Sequence, residues 1–388
     1  MRHSTQYKIA GPKTLRLASS QILPKKIPFF GKTVKKGWGD NLQNVEKSMR
    51  ELFIPDGFTP ELEDKCLYYM SSNDTSVFTA EELDKLRIFV QPDQSGAEAL
   101  IVAYCCEALQ YRELFKNGIK PHSYLCMHLF KDVWPRKMRE HNLLTSGSDF
   151  NIDELINSPI TQLKHHPYWR NLDLLIKDSD NWSLTERYYY LGKQTEHSSN
   201  YDAQPPAFRM NTLEKSGGKI VISKEDSERF LATKFSLFPE IKGYHKWVRD
   251  CATKHRMLFN LHGHPYTITH YELTETHWKE LYSWIPQSTV GEITNIAFTN
   301  MYEYIRDTKK RWDLLQNNHD SYLIQCPLTE ERECAKKAQE FIGQTFESPI
   351  DGAVFQMKSE AQIGFNWCPM KKKQDGTIIN PLGLREIK

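Results

Sequence analysis

Apolar positions along the chain follow two rhythms, and the places where the rhythm changes mark its elements. The compact run LRIFV at 86–90, β-branched and aromatic, predicts a strand that stops at Gln91-Pro92-Asp93. Helical spacing takes over across 96–118 and is closed by Gly118. Residues 121–134 predict another helix. Over 183–203 the pattern is again helical, with Ser183 as N-cap, Glu186 as its capping-box partner and Pro205-Pro206 as the stop. Residues 222–260 hold two helical patterns, the second rich in Lys, Arg and His. The stretch 276–307 predicts a helix, a break at Pro286 and a second helix. Two short apolar runs within 311–327 flank Asn317-Asn318-His319-Asp320 and predict a β-hairpin. A helix over 328–344, the short strand AVFQMKSEAQ and a basic tail follow. Residues 59–82 are acidic with a polar Ser-Ser-Asn-Asp break and predict a helical insert and loop. Residues 1–58 predict irregular, basic chain. No internal repeat is visible, and the mixture of elements indicates an α+β fold.

Length changes the picture first. At 388 residues the chain exceeds one ordinary core, so two or three lobes are expected. Apolar and charged fractions of 39% and 26% indicate a globular chain rather than a disordered one. A formal charge of +2 gives no overall nucleic-acid signature, although a local basic channel is compatible with it. Lys25, Lys26, Lys32, Lys35 and Lys36 lie close together among Phe29, Phe30 and Trp38; they form either a solvated loop or a phosphate-backbone contact. The eight cysteines include no CxxC pair, which argues against a zinc site or a disulfide framework and for reduced thiols. No apolar run approaches the roughly 20 residues of a membrane span, and the N-terminus lacks the apolar core of a secretory signal. A soluble, cytoplasmic protein without membrane partners is expected.

Candidate chemistry centres on two carboxylates. Asp93 ends an apolar strand before a helix, and Asp320 lies at the turn of the hairpin. Each alone is an ordinary turn or cap residue. Brought to adjacent strand ends, the two could hold a pair of divalent cations about 3.5–4 Å apart, the arrangement that clamps both oxygens of a phosphoryl transfer. Hard oxygen ligands suit Mg2+, which keeps waters and accepts phosphate oxygens. In RYYYLGKQTEHSSNYD, Lys193, His197 and Tyr201 recur at the four-residue spacing that lines one helical face. That face could grip a triphosphate, a sugar and a base, or could simply touch water.

These residues carry a resemblance. Asp93-Gln94-Ser95-Gly96-Ala97-Glu98 resembles motif A of the family A DNA polymerases, Asp-aromatic-Ser-x-x-Glu. Lys193, His197 and Tyr201 resemble motif B, and His319-Asp320-Ser321 resembles motif C, His-Asp-Glu, in the family's order. Flanking segments agree. Thr14 to Ser20 is similar to the family's Thr-Gly-Arg-Leu-Ser-Ser, and Asn41-Leu42-Gln43-Asn44 matches its Asn-Leu-Gln-Asn. Arg50-Glu51-Leu52-Phe53 resembles the Ile-Arg-x-x-Phe step, and Pro121-His122-Ser123 stands in place of Asp-Ile-His-Thr/Ser. Gln287-Ser288-Thr289 is similar to a segment whose glutamine reads the primer–template minor groove. Gly364-Phe365-Asn366-Trp367 resembles Gly-x-Asn-Trp of phage-type members. The match spans most of residues 7–368.

The resemblance implies a right-hand polymerase with an antiparallel-sheet palm and a helical fingers subdomain. Residues 1–135 would be the first part of the palm with a basic arm, 136–275 the fingers, and 276–388 the second part of the palm. It implies two Mg2+ ions held by Asp93 and Asp320, with primer–template DNA and dNTPs as partners. Lys193 would pair with the phosphates, and Glu98 would exclude a 2′-hydroxyl. His197 would lie against sugar or base, and Tyr201 would stack near the template base and bond toward Glu98. His319 would contact the primer terminus; Arg16, Gln43, Arg50 and Gln287 would touch DNA or position the site. Departures are Gln94 for the motif A aromatic, Ser321 for the acid after Asp320, and Tyr189 where an arginine is usual; His197 points to a phage-like branch. The family's exonuclease and thumb precede the segment that begins here at Thr14, so a separate chain supplying both, an excised product, or palm and fingers acting alone are the alternatives, and low processivity is expected. Two other functions remain open: a catalytically impaired DNA-binding subunit of a split polymerase, and a two-metal phosphodiesterase.

Overall fold

The computed structural model describes residues 47–144, 150–372 and 377–387, together with the backbone of four short strands within 6–38. The chain divides into two compact units, one formed by Met1–Ala97, Gln287–Phe346 and Phe355–Lys388, the other by Glu98–Pro286 with Glu347–Val354. Arg16 and Gln43 lie outside the described residues. The arm expected to be irregular instead forms antiparallel pairs, Gln6–Lys8 with Ala18–Ser20 and Ile22–Phe29 with Lys32–Trp38. In the second pair Ile27 stands opposite Val34.

The first unit is built on a five-stranded antiparallel sheet. Arg87–Gln94 is its central strand, flanked by Ser359–Gly364 and Tyr322–Pro327, with Arg385–Glu386 and Asp313–Asn317 outermost. Pleating sends alternate residues to opposite faces. Ile88, Val90, Tyr322, Ile324 and Cys326 are buried; they stand on the same pleat face, and the helix Glu331–Ile342 covers it, accepting the Tyr322 hydroxyl on the Ala338 carbonyl at 3.2 Å. On the other face Phe89 and Leu323 join Trp367 and Leu384 in a core to which Phe53 adds its ring. The insert over 59–82 does form helices, Glu63–Ser72 and Ala80–Lys85. Thr79 and Glu82 close a capping box at the second, and Lys65 binds Glu82 at 2.7 Å to tie the two together. Phe365 packs against Phe58 and Tyr69 at centroid distances of 6.0 and 6.1 Å, so the first helix of the insert packs against the unit through Tyr69.

Two expectations are corrected by the helices. The 96–118 pattern is two helices, Ala97–Tyr104 and Leu109–Lys116. Carbonyls freed where the first one ends are collected by the buried Arg112, whose Nε donates to Ala103 at 2.8 Å and Nη2 to Cys106 at 2.7 Å. Asp351 balances that guanidinium at 2.5 Å. The second correction concerns Pro286. It does not break its helix, which runs unbroken over Glu275–Thr308. Proline has no N–H for the carbonyl four residues back, that of Tyr282. The Tyr244 hydroxyl supplies the missing donor at 2.5 Å, and so the helix continues.

Candidate active site

The hairpin predicted around Asp320 consists of Asp313–Asn317 and Tyr322–Pro327 in antiparallel register. Asn318 N–H donates to the Ser321 carbonyl at 2.7 Å, closing a tight turn with His319 and Asp320 at its tip. His319 adopts φ +73°, a left-handed conformation that costs a non-glycine residue energy and concentrates at functional sites. Its N–H donates to Asn317 Oδ1 at 3.2 Å. Asp93 lies within the central strand rather than beyond it, and forms an antiparallel bridge with Ser321. Next to it, Gln94 N–H donates to the Asp320 carbonyl at 3.1 Å. Sheet pairing therefore brings residues 93 and 320, remote in sequence, to adjacent strand ends, with Asp93 half-buried and Asp320 exposed.

Positive charge stands close by. Arg50 lies over the Trp367 ring at 4.3 Å. Burial lowers its pKa, while Cys368 and Asp320 act in the opposite sense, so the guanidinium feels the Asp320 charge. Trp367 is itself fixed by an Nε1–H bond to Gln91 Oε1 at 2.8 Å, on the strand that carries Asp93. Gln287 is half-buried on the long helix, two turns before Thr294. Among the described residues no group of three or more His, Cys, Asp or Glu could enclose a metal ion. What the unit offers is two aspartates whose backbones are neighbours in the sheet, an all-oxygen donor set. This chemistry fits Mg2+, which takes one or two carboxylates and fills its octahedron with water and substrate phosphate.

In the second unit the Lys193 helix is Tyr188–Asn200, shorter than expected. Ser183 does not cap it. That residue heads a separate 3-10 turn, Leu184–Glu186, and Glu186 pairs with Lys137 at 2.7 Å instead. The Tyr189 N–H is satisfied by Ser179 Oγ at 2.9 Å. Along the outward face Lys193 is exposed, His197 half-buried and Tyr201 buried. The His197 and Tyr201 rings meet edge-on at 5.1 Å, and the Tyr201 hydroxyl donates to the Glu98 carboxylate. Lys215 shares this neighbourhood: burial lowers its pKa, Glu98 raises it and Lys193 lowers it. Tyr189, four residues before Lys193, is engaged by His122 Nε2 at 2.7 Å. Burial first, opposed by Glu196 and aided by Lys193 and Lys120, pushes His122 down to about 4, which leaves its imidazole neutral.

The inward face of this helix is polar too. Glu196 accepts from the Tyr111 hydroxyl and from Asn200 Nδ2, the latter at 2.9 Å. The fully buried Lys234 acts on Glu196 electrostatically and sits over the Tyr111 ring at 4.0 Å. Burial pulls its pKa down to about 8. Sequence reading did not single out Thr294, Lys215, Glu196 or Lys234. The signal was present only as Glu196 lying off the Lys193–His197–Tyr201 face, and nothing in the spacing names its partners.

No protein-family model matches the sequence, and a comparison with curated proteins gives no match. Among solved structures, 127 chains match the fold. One is the POL domain of Pol1 from M. smegmatis in complex with DNA primer-template and dNTP, at a TM-score of 0.56 and 16% identity, covering 93% of this chain and 47% of that one. The chain thus spans about half the length of that structure. The fold, mixed helix and antiparallel sheet, resembles a polymerase domain. No helix among the described residues is long and apolar enough to cross a membrane.

Proposed function

We propose that this chain is a template-directed DNA polymerase of family A that adds dNTPs to a primer 3′ end. The first unit serves as palm and the second as fingers. The single observation that carries this reading is the nearness of Asp93 and Asp320 in sheet register, with Asp93 bridged to Ser321 and Gln94 N–H bonded to the Asp320 carbonyl. The likeness to a polymerase domain whose structure holds primer-template and dNTP supports it.

Asp93 and Asp320 would hold two Mg2+ ions. When bound, such a pair activates the primer 3′-hydroxyl and offsets charge on the triphosphate and the leaving pyrophosphate. The chain's own groups do the rest. Lys193, exposed on its helix, pairs with the phosphates as a point charge. Neutral His122 and the Tyr189 hydroxyl bound to it add polar groups beside that lysine. Glu98, fixed by Tyr201, fills the space a 2′-hydroxyl would need. His197 packs against sugar or base and Tyr201 near the template base. His319 meets the primer terminus, while Arg50 and Gln287 position the site or touch DNA.

Primer extension with dNTPs and Mg2+, comparing wild type with Asp320→Ala, tests the reading. Metal-dependent extension lost in the variant is expected, with a fall of at least about a thousandfold in rate. DNA binding without extension by the wild type would instead establish a binding subunit, and primer degradation in the absence of dNTPs would establish a phosphodiesterase.

A further inference from the structure

The hairpin tip is held by more than its own strands. Gln94, the residue after Asp93, is 4% exposed and points its carboxamide into the unit rather than along the Asp93 face. Its Nε2 donates to Thr294 Oγ1 at 2.8 Å and, more weakly, to the Val290 carbonyl at 3.3 Å. Thr294, fully buried on the long helix, passes the bond on: its one hydroxyl proton is shared between two acceptors, the nearer the His319 carbonyl at 2.8 Å and the other the Val290 carbonyl at 3.0 Å. A continuous relay therefore runs from the strand that bears Asp93, through the long helix, to the peptide that leads into Asp320.

That peptide is the one most in need of restraint. His319 is left-handed, and the peptide plane between His319 and Asp320 sets the direction in which the Asp320 side chain leaves the chain. The strand ladder fixes Ser321 opposite Asp93, and the Gln94 N–H fixes the Asp320 carbonyl. Neither bond grips the carbonyl of His319; Thr294 does. Gln94 Oε1, meanwhile, is buried with no hydrogen-bond partner among the described residues, so the carboxamide is kept for its donor end.

We propose that Gln94 and Thr294 are positioning residues: their side-chain relay locks the His319–Asp320 peptide and thereby sets the spacing of Asp320 from Asp93. The catalytic consequence rests on the polymerase reading; the structural one does not. The relay explains what a glutamine does at a position where the resembling family carries an aromatic ring. It ties the two carboxylate-bearing segments to one helix through directed bonds instead of ring packing.

The test uses the full-length protein and three variants. Thr294→Val keeps the shape and removes the hydroxyl, Thr294→Ser keeps the hydroxyl, and Gln94→Leu removes the donor together with the orphan acceptor. Amide hydrogen exchange at residues 318–321 is expected to quicken by at least about tenfold in Thr294→Val and Gln94→Leu, and to stay near wild type in Thr294→Ser, while the global melting temperature moves little. In primer extension, Thr294→Val lowers kcat by about ten- to a hundredfold with dNTP KM nearly unchanged, and Thr294→Ser restores it, the expected cost of misplacing a reacting group by about an ångström. Unchanged exchange at the turn overturns the relay whether or not the chain extends primers. Faster exchange with unchanged kcat overturns the positioning role. Faster exchange in Thr294→Val and Gln94→Leu, with a wild type that extends nothing, leaves the relay standing and removes the polymerase reading alone.

Discussion

At His319 the backbone takes φ +73°, and that one residue shows how much of the site is local strain held by neighbours. Glu98 is a second residue whose setting defines its work. With Tyr201 bonded to it, the carboxylate is held in one orientation, and under the proposed polymerase activity Glu98→Ala should relax discrimination against ribonucleotides by at least about tenfold, read as the ratio of kcat/KM for dNTP and rNTP. Two histidines of the second unit set an acid limit. Burial pushes both His122 and His128 down to about 4, below the ordinary 6.5 they regain when unfolded. Between those values the unfolded chain binds more protons than the folded one, so stability is full above pH 6.5 and falls as pH drops toward 4. His128 Nε2 has no hydrogen-bond partner among the described residues, and its ring packs on Tyr124 at 4.7 Å. His128→Phe should therefore remove about 1–2 kcal/mol of that pH dependence, measured as melting temperature against pH, without costing stability at neutral pH.

At the scale of elements, two helix junctions invite decisive substitutions. Gly192 lets the Lys193 helix approach Pro121–Leu129 closely: a Cβ built there would lie 2.1 Å from Cys126 Sγ and 3.0 Å from the His122 carbonyl. Gly192→Ala should destabilise the protein by about 1–3 kcal/mol in denaturant titration, and adding Cys126→Ala should recover part of the loss. The Pro286 site permits a double-mutant cycle. Tyr244→Phe leaves the Tyr282 carbonyl buried without a donor and should cost about 1–3 kcal/mol. In a Pro286→Ala background the restored N–H reaches that carbonyl, and the same change should cost much less. Sequence rhythm located both helices, yet it predicted a break at Pro286. The repair comes from Tyr244, which is too remote in sequence for periodicity to register.

Over the whole molecule, burial sorts the cysteines. Cys66, Cys105, Cys106, Cys126, Cys326 and Cys334 are buried, while Cys251 and Cys368 are partly exposed. Burial raises the thiol of Cys66 and that of Cys106 to about 12, so neither offers thiolate at neutral pH. A brief native pulse of alkylating reagent, read by mass spectrometry, should modify Cys251 and Cys368 first, and all eight only after denaturation. Early labelling of Cys326, whose strand pairs with Ile88, would contradict the sheet itself.

Short-range pattern alone determined the central strand, the hairpin, most helices, and the choice of Asp93, Asp320 and Lys193 as the residues to follow, because pleat and helix periods repeat within a few residues. Only the folded chain decided that Asp93 is bridged to Ser321, next to Asp320, that Gln94 reaches Thr294, and that Tyr244 sustains the helix through Pro286. Those are partnerships between segments far apart along the chain. A hydrogen bond carries no periodic trace in sequence; its existence depends on where two backbones meet once their apolar faces are buried.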